Sequence, residues 1–335
     1  MTATRTMPAP LPAELQHVVD AYRTCEFVTV TRSGVPIAWP TAALYRPESG
    51  TFLITTSIGL PRKAVNVRRD PRVGLLFSEP TGSGLAGAPQ VHVTGIADCP
   101  DEVVTSPEGL EAYWTRLYER QPAGRVYSAN ALTRWAFDWY YMRLLITVTP
   151  TSIERRSPLA VPAPGAAGTS SPAATASPAA GPGAFGEVAR RLPAYPSAVL
   201  TTMDGDGPRL CRVRATADAQ SGSVLVRADD ESVLRPGTAG LLCHGHDERL
   251  WGLRSFAAVG DLDRDAHGTW QFTPARFVKG GDTTDPLAAV RTLREVRGTA
   301  RRYLDARGLP RPDIPWAGYA ALKAEVERRE AIAAR

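Results

Sequence analysis

The stretch Gly59–Phe77 reads GLPRKAVNVRRDPRVGLLF and follows directly on TFLITTS, residues 51–57. It crowds Arg62, Lys63, Arg68, Arg69 and Arg72 into one connection between two apolar runs that read as strands. Pro61 stands where a helix tolerates proline, in its first turn, with Ser57 upstream as a candidate cap. Asp70-Pro71 ends the helix, because the residue before a proline resists the α conformation. Leu60, Ala64 and Val67, at i, i+4 and i+7, form the packed stripe, and Lys63 and Asn66 share a different face. Arg68, Arg69 and Arg72 complement the negative end of the helix dipole. Arg62 and Lys63 do not. They stand at the positive end, beside unpaired N–H groups, so they are either solvated or face an anion. Thr55, Thr56 and Ser57, immediately before, are hydroxyls suited to phosphate oxygens.

Outward from this segment, EFVTVT (26–31), Ile37 to Tyr45, Thr51 to Ser57, Val73 to Phe77 and Gln90 to Ala97 read as short strands separated by glycine-bearing turns. Two helical stretches, Pro107 to Arg120 and Ala129 to Tyr140, precede a closing strand from Leu144 to Glu154. The order predicts a small antiparallel barrel over 12–156. Residues 157–183, almost wholly Ala, Pro, Gly, Ser and Thr, have too little apolar bulk to fold and read as a disordered linker. Residues 184–335 repeat the punctuation. Pro36 and Gly50 match Pro208 and Gly222, and TFLITTS matches SVLVRAD. GLLF from Gly74 matches GLLC from Gly240, Gly95 matches Gly260, and TVTPTSI matches QFTPARF. Five matches in order indicate a duplicated barrel. The cationic segment is absent from the second copy, which has only VLRPGTAG there.

The bulk numbers narrow the functions. The 335-residue chain carries a formal charge of +5, with 43% hydrophobic and 22% charged residues. No basic stripe extends beyond residues 62–72, which argues against a nucleic-acid groove and for a small anionic ligand. Lys63, Lys279 and Lys323 are the only lysines. Cys25, Cys99, Cys211 and Cys243 lack C-x-x-C spacing, as in a reducing compartment. No run of about 18 apolar residues and no export signal are read, so a cytoplasmic location without a membrane span is expected.

His244 and His246 of CHGHDE share one strand face. They are weak metal candidates without a visible third ligand, and the expectation is no metal. Alternatively the pair faces a groove between the two barrels, or stands at a surface strand end. Trp39, on the second strand, reads as a core residue. WAFDWYYMRL (135–144) reads as packing, and the helical C-terminal stretch packs on a barrel or mediates self-association. No P-loop, G-x-S-x-G or H-E-x-x-H occurs, and no catalytic residue is assigned.

TTS followed by RKAVNVRRDPRVGLLF, and then the Gly-centred QVHVTGIA, resembles the FMN-binding split-barrel superfamily. This is the pyridoxamine 5'-phosphate oxidase-like group that includes flavin- and deazaflavin-dependent oxidoreductases. The resemblance is close over about 25–156 and fainter over 195–280. It implies two tandem split barrels forming an intrachain pseudo-dimer, with a degenerate second barrel. It further implies FMN, or a deazaflavin coenzyme, with its phosphate on Thr55, Thr56, Ser57, Arg62 and Lys63. Asn66 and Trp39 are further contacts. The implied activity is oxidation or reduction of a small organic substrate. The alternative is a non-catalytic flavin- or haem-binding protein. One cofactor per chain is expected, since one barrel carries the cationic segment.

Overall fold

A computed structural model describes residues 11–159 and 183–333, except 86, 251, 252 and 281–285. Most of the expected linker lies outside the described residues.

The first part opens with α1 (Ala13–Ala21), followed by β1 (Cys25–Val30), β2 (Pro36–Thr41), β3 (Ala43–Arg46) and β4 (Thr51–Ser57). Next come α2 (Arg62–Arg69), β5 (Arg72–Phe77) and β6 (Gln90–Asp98). Helices α3 (Glu111–Arg120), α4 (Pro122–Val126) and α5 (Ala131–Tyr141) lead into β7 (Arg143–Arg156). The ladders are antiparallel, in the order β2-β1-β5-β6-β7-β4-β3. The single strand expected over Ile37 to Tyr45 breaks at Ala42, so its two pieces form the opposite edges of a split barrel. Phe27, Phe52, Ile54, Leu75, Val93 and Ile146 fill the interior.

The second part runs α6 (Ala184–Arg191), β8 (Ala198–Asp204), β9 (Gly207–Asp218) and β10 (Ser223–Arg227). It continues through β11 (Gly237–Gly245), β12 (Arg254–Arg264) and β13 (Trp270–Lys279). These six strands close into a ring, β10-β13-β12-β11-β8-β9, in which β9 alone does what β2 and β3 do together. The register repeats as well. Phe52 faces Val148 where Val224 faces Phe272. The β6–β7 ladder slips at Thr94/Gly95, opposite Pro150, and β12–β13 slips at Val259/Gly260, opposite Pro274. One β-bulge has been kept in both copies.

The barrels pack through matched strands. A side chain at Gly74 would meet Leu210 Cδ1 at 2.6 Å and the Pro208 carbonyl at 3.3 Å. One at Gly240 would meet the Pro36 carbonyl at 2.5 Å. Gly74 against Pro208 and Gly240 against Pro36 are the same contact made twice, as across a two-fold axis. Val28, Ala38, Leu76, Val199, Leu210, Leu242 and Ala257 make the seam apolar at its centre.

Two helices end the described chain, α7 (Pro286–Asp305) and α8 (Trp316–Ala333). They return to the first barrel. Ala300, Tyr303 and Leu304 join its core, and Tyr319 and Val326 pack with α3 around Trp114. No described helix is long and apolar enough to cross a membrane.

Candidate functional site

Strand β4 delivers Thr55, Thr56 and Ser57 to the start of α2, all three buried. Thr55 donates to Tyr113 Oη at 3.1 Å, Thr56 to the Leu60 carbonyl at 2.8 Å and Ser57 to the Trp139 carbonyl at 2.8 Å. A hydroxyl has one proton, so these three are already spent within the chain. The hydroxyl part of the expected phosphate cradle is not a free donor set in this arrangement. Ser57 also does not cap α2. It accepts from Gly59 N–H at 3.0 Å and braces the turn, while Pro61 occupies the cap position without a side-chain bond. The turn is tightly covered: Val296 of α7 and Trp139 of α5 leave no room for a side chain at Gly59. Ala64 and Val67 are the packed stripe of α2, but Leu60, expected with them, is 56% exposed because it precedes the first helical turn.

The five cations divide. Arg68 donates to the Cys99 carbonyl at 2.9 Å and Tyr303 Oη at 2.9 Å and pairs with Asp101 at 2.7 Å. Arg69 donates to the Val30 carbonyl at 2.7 Å, and Arg72 pairs with Asp70 at 2.8 Å. All three have side-chain or backbone partners beyond the helix dipole. Arg62 is exposed and Lys63 partly buried, and no hydrogen bond or ion pair reaches either among the described residues. Burial, and then the nearby Arg143, pull the Lys63 amine down from 10.5 to about 8.

Sequence reasoning passed over Arg143. It opens β7, directly opposite Ser57, and is 6% exposed. Its guanidinium lies 4.6 Å from the centre of the Tyr140 ring and 5.3 Å from that of Trp114, and it donates to the Tyr140 carbonyl at 3.2 Å. No carboxylate pairs with it among the described residues. A lone arginine between apolar residues at a strand start was the available signal.

Asn66 is structural. It donates to Thr29 Oγ1 at 2.9 Å and accepts from Arg69 at 3.0 Å, tying α2 to β1. Trp39 stands opposite Phe27, on the face of the β1–β2 ladder that also carries Cys25 and Thr29. It is half-buried and joins none of the four apolar cores. Asn66 reaches that face through Thr29.

The two histidines lie at the seam. His244 donates from Nε2 to Glu26 Oε1 at 2.8 Å, and His246 lies 3.4 Å from Thr24 Oγ1. Among the described residues no group of three or more His, Cys, Asp or Glu side chains is placed to hold a metal. Glu26 is the centre of a network absent from the sequence reading. Arg212 donates to Glu26 at 2.7 Å, to Ser78 at 2.8 Å and to Ser197 at 2.8 Å, and Ser78 donates to Glu26 at 2.9 Å. Burial would raise the Glu26 carboxyl, but Arg212 and His244 outweigh it and hold it below the usual carboxylate range. Elsewhere on the seam a cleft of ≈ 370 Å³ opens between β6–β7 and the β8–β9 hairpin. Ser152, Glu154 and Arg209 line it, but no residue of α2 does.

No family model and no curated protein matches the chain. Solved structures do. A putative pyridoxamine 5'-phosphate oxidase from Listeria innocua is 18% identical, with a TM-score of 0.27, over 42% of this chain and 94% of that one. An F420 reductase is 17% identical, with a TM-score of 0.29, over 43% and 98%. A haem storage protein of Vibrio cholerae is 14% identical, with a TM-score of 0.31, over 44% and 96%. Each of these matches covers less than half of this chain.

Proposed function

We propose that the chain is an oxidoreductase that holds a phosphate-bearing flavin, FMN before a deazaflavin coenzyme, at the start of α2, and acts on a small organic substrate. One observation carries the reading. Among the described residues Arg62 and Lys63 are the two cations of the segment without a partner, and they stand at the N-terminus of a helix found in only one of two matched barrels. The cations fit a phosphate; the hydroxyls, spent on Tyr113, Leu60 and Trp139, do not add to it. When bound, the cofactor supplies the redox chemistry. The chain's part is charge at Arg62 and Lys63, with the half-buried Trp39 as a further contact in this reading. The boundaries 12–156 and 184–335 belong to this reading, with the cofactor on the first unit. A haem reading gains nothing from His244, whose Nε2 is engaged by Glu26.

The absorbance spectrum of the purified protein and an FMN titration test this. One FMN per chain is expected, and Lys63→Ala should weaken binding by about 1.5–3 kcal/mol, the worth of a charge-assisted hydrogen bond. Two equivalent sites per chain, or unchanged affinity in the variant, overturns the assignment.

A further inference from the structure

We propose that Arg143 is a third cation of this phosphate site, and that it makes the site select a phosphomonoester dianion over a phosphodiester monoanion. The inference rests on the function proposed above and adds a residue and a ligand charge to it.

Arg143 is brought to the site by the β4–β7 ladder, in which it faces Ser57, the last strand residue before the turn that opens α2. A buried guanidinium is normally neutralised by a carboxylate, because an unpaired buried charge is costly. Among the described residues none is provided: the flanking groups are Tyr113, Trp114, Tyr140 and Tyr319. Aromatic faces stabilise a cation without cancelling its charge. Arg143 Nη1 donates to the Tyr140 carbonyl, while Nε is buried without an acceptor among the described residues. The same box explains the density of rings over 113–141. Trp114 stacks on Tyr141 at 5.3 Å and meets Tyr319 edge-on at 4.9 Å, so the wall that holds the guanidinium is rigid. Arg143 lies near enough to help lower the Lys63 amine, and no carboxylate pairs with either among the described residues; Arg62 is the first residue of the same helix. Three cations facing one ligand favour the form with more negative charge. A phosphomonoester is largely dianionic above about pH 6, whereas a diester carries one charge.

The test compares FMN with its monomethyl phosphate ester and with riboflavin, by fluorescence titration at pH 7.5, on the full chain. Wild type should bind FMN at least roughly tenfold more tightly than the methyl ester. Arg143→Leu should lose roughly ten- to hundredfold in FMN affinity and bring the two ligands together, with riboflavin unchanged. Arg143→Lys keeps charge and ring contact but loses the planar fork, so it should lose several-fold and keep the discrimination. A ligand-free measurement runs beside these: the pH dependence of amine labelling at Lys63, one of three lysines, should move upward in Arg143→Leu. If wild type binds no FMN, both readings fall. If it does, and folded Arg143→Leu keeps the affinity and the preference for FMN over the ester, this inference alone falls. Should the Leu variant not fold, unchanged FMN affinity in Arg143→Lys overturns it.

Discussion

The two barrels share strand order, ladder register and a bulge, yet the rows they press together differ. In the first barrel Pro40, Glu26, Leu76, His92 and Glu154 are neighbours across four ladders. The matching row of the second is Arg212, Val199, Leu242, Ala257 and Val278. A symmetric dimer must place the same residue on both sides of its axis. A duplicated chain is free of that constraint. It can set an acid in one row and its arginine in the other, as Glu26 and Arg212 are, and keep a cationic helix in one barrel while the other retains a single turn at Glu231–Val233.

The largest effect that would break this comparison is expected at the buried pair. Arg212→Leu leaves Glu26 fully buried without its cation and should cost about 3–5 kcal/mol in urea unfolding. Adding Glu26→Leu should recover much of the loss; no recovery would mean that the pair is not the unit. Next come the two glycines. Gly240→Ala forces a methyl onto the Pro36 carbonyl, which is backbone and cannot swing aside, and should cost about 1–3 kcal/mol. Gly74→Ala meets mainly the flexible tip of Leu210 and should cost less, and equal losses would contradict the asymmetry.

A smaller effect is set by pH. The Lys63 amine titrates at about 8 in the folded chain, below its ordinary value, so the fold resists its proton. A bound phosphate restores that proton. Between about pH 7 and 8, where the phosphate is already dianionic, affinity for FMN should therefore be level, and above pH 8 it should fall about tenfold per unit; a flat profile to pH 10 would remove Lys63 from the site. The smallest change is expected from Arg62→Ala. Its side chain is exposed, so the loss should be only about 0.5 kcal/mol, read in the same titration at two salt concentrations.

The duplication was legible because turns and bulges need particular residues: Gly95 and Gly260 lie opposite Pro150 and Pro274 just as the repeats place them. The α2 boundaries were legible for the same reason, with Asp70-Pro71 at one end and Pro61 at the other. The partners of the side chains were not. Thr55, Thr56 and Ser57 look like phosphate ligands in sequence, and only the approach of α3, α5 and the turn at Leu60 shows where their protons go. Glu26 and Arg143 are single charges in apolar runs, and Arg212 is one of three arginines in RLCRVR (209–214). Their importance comes from register across ladders far apart in the chain, which periodicity within one strand does not report.

The return of α7 and α8 to the first barrel has a consequence for how the molecule holds together. The second barrel is spliced between two segments that both belong to its neighbour, so the fold is buckled like a belt. A protease cut between residues 159 and 183 should yield two fragments that travel as one particle, clasped by the seam and by Tyr303 and Tyr319. Residues 183–335 made alone would carry two helices whose apolar faces have lost their seat.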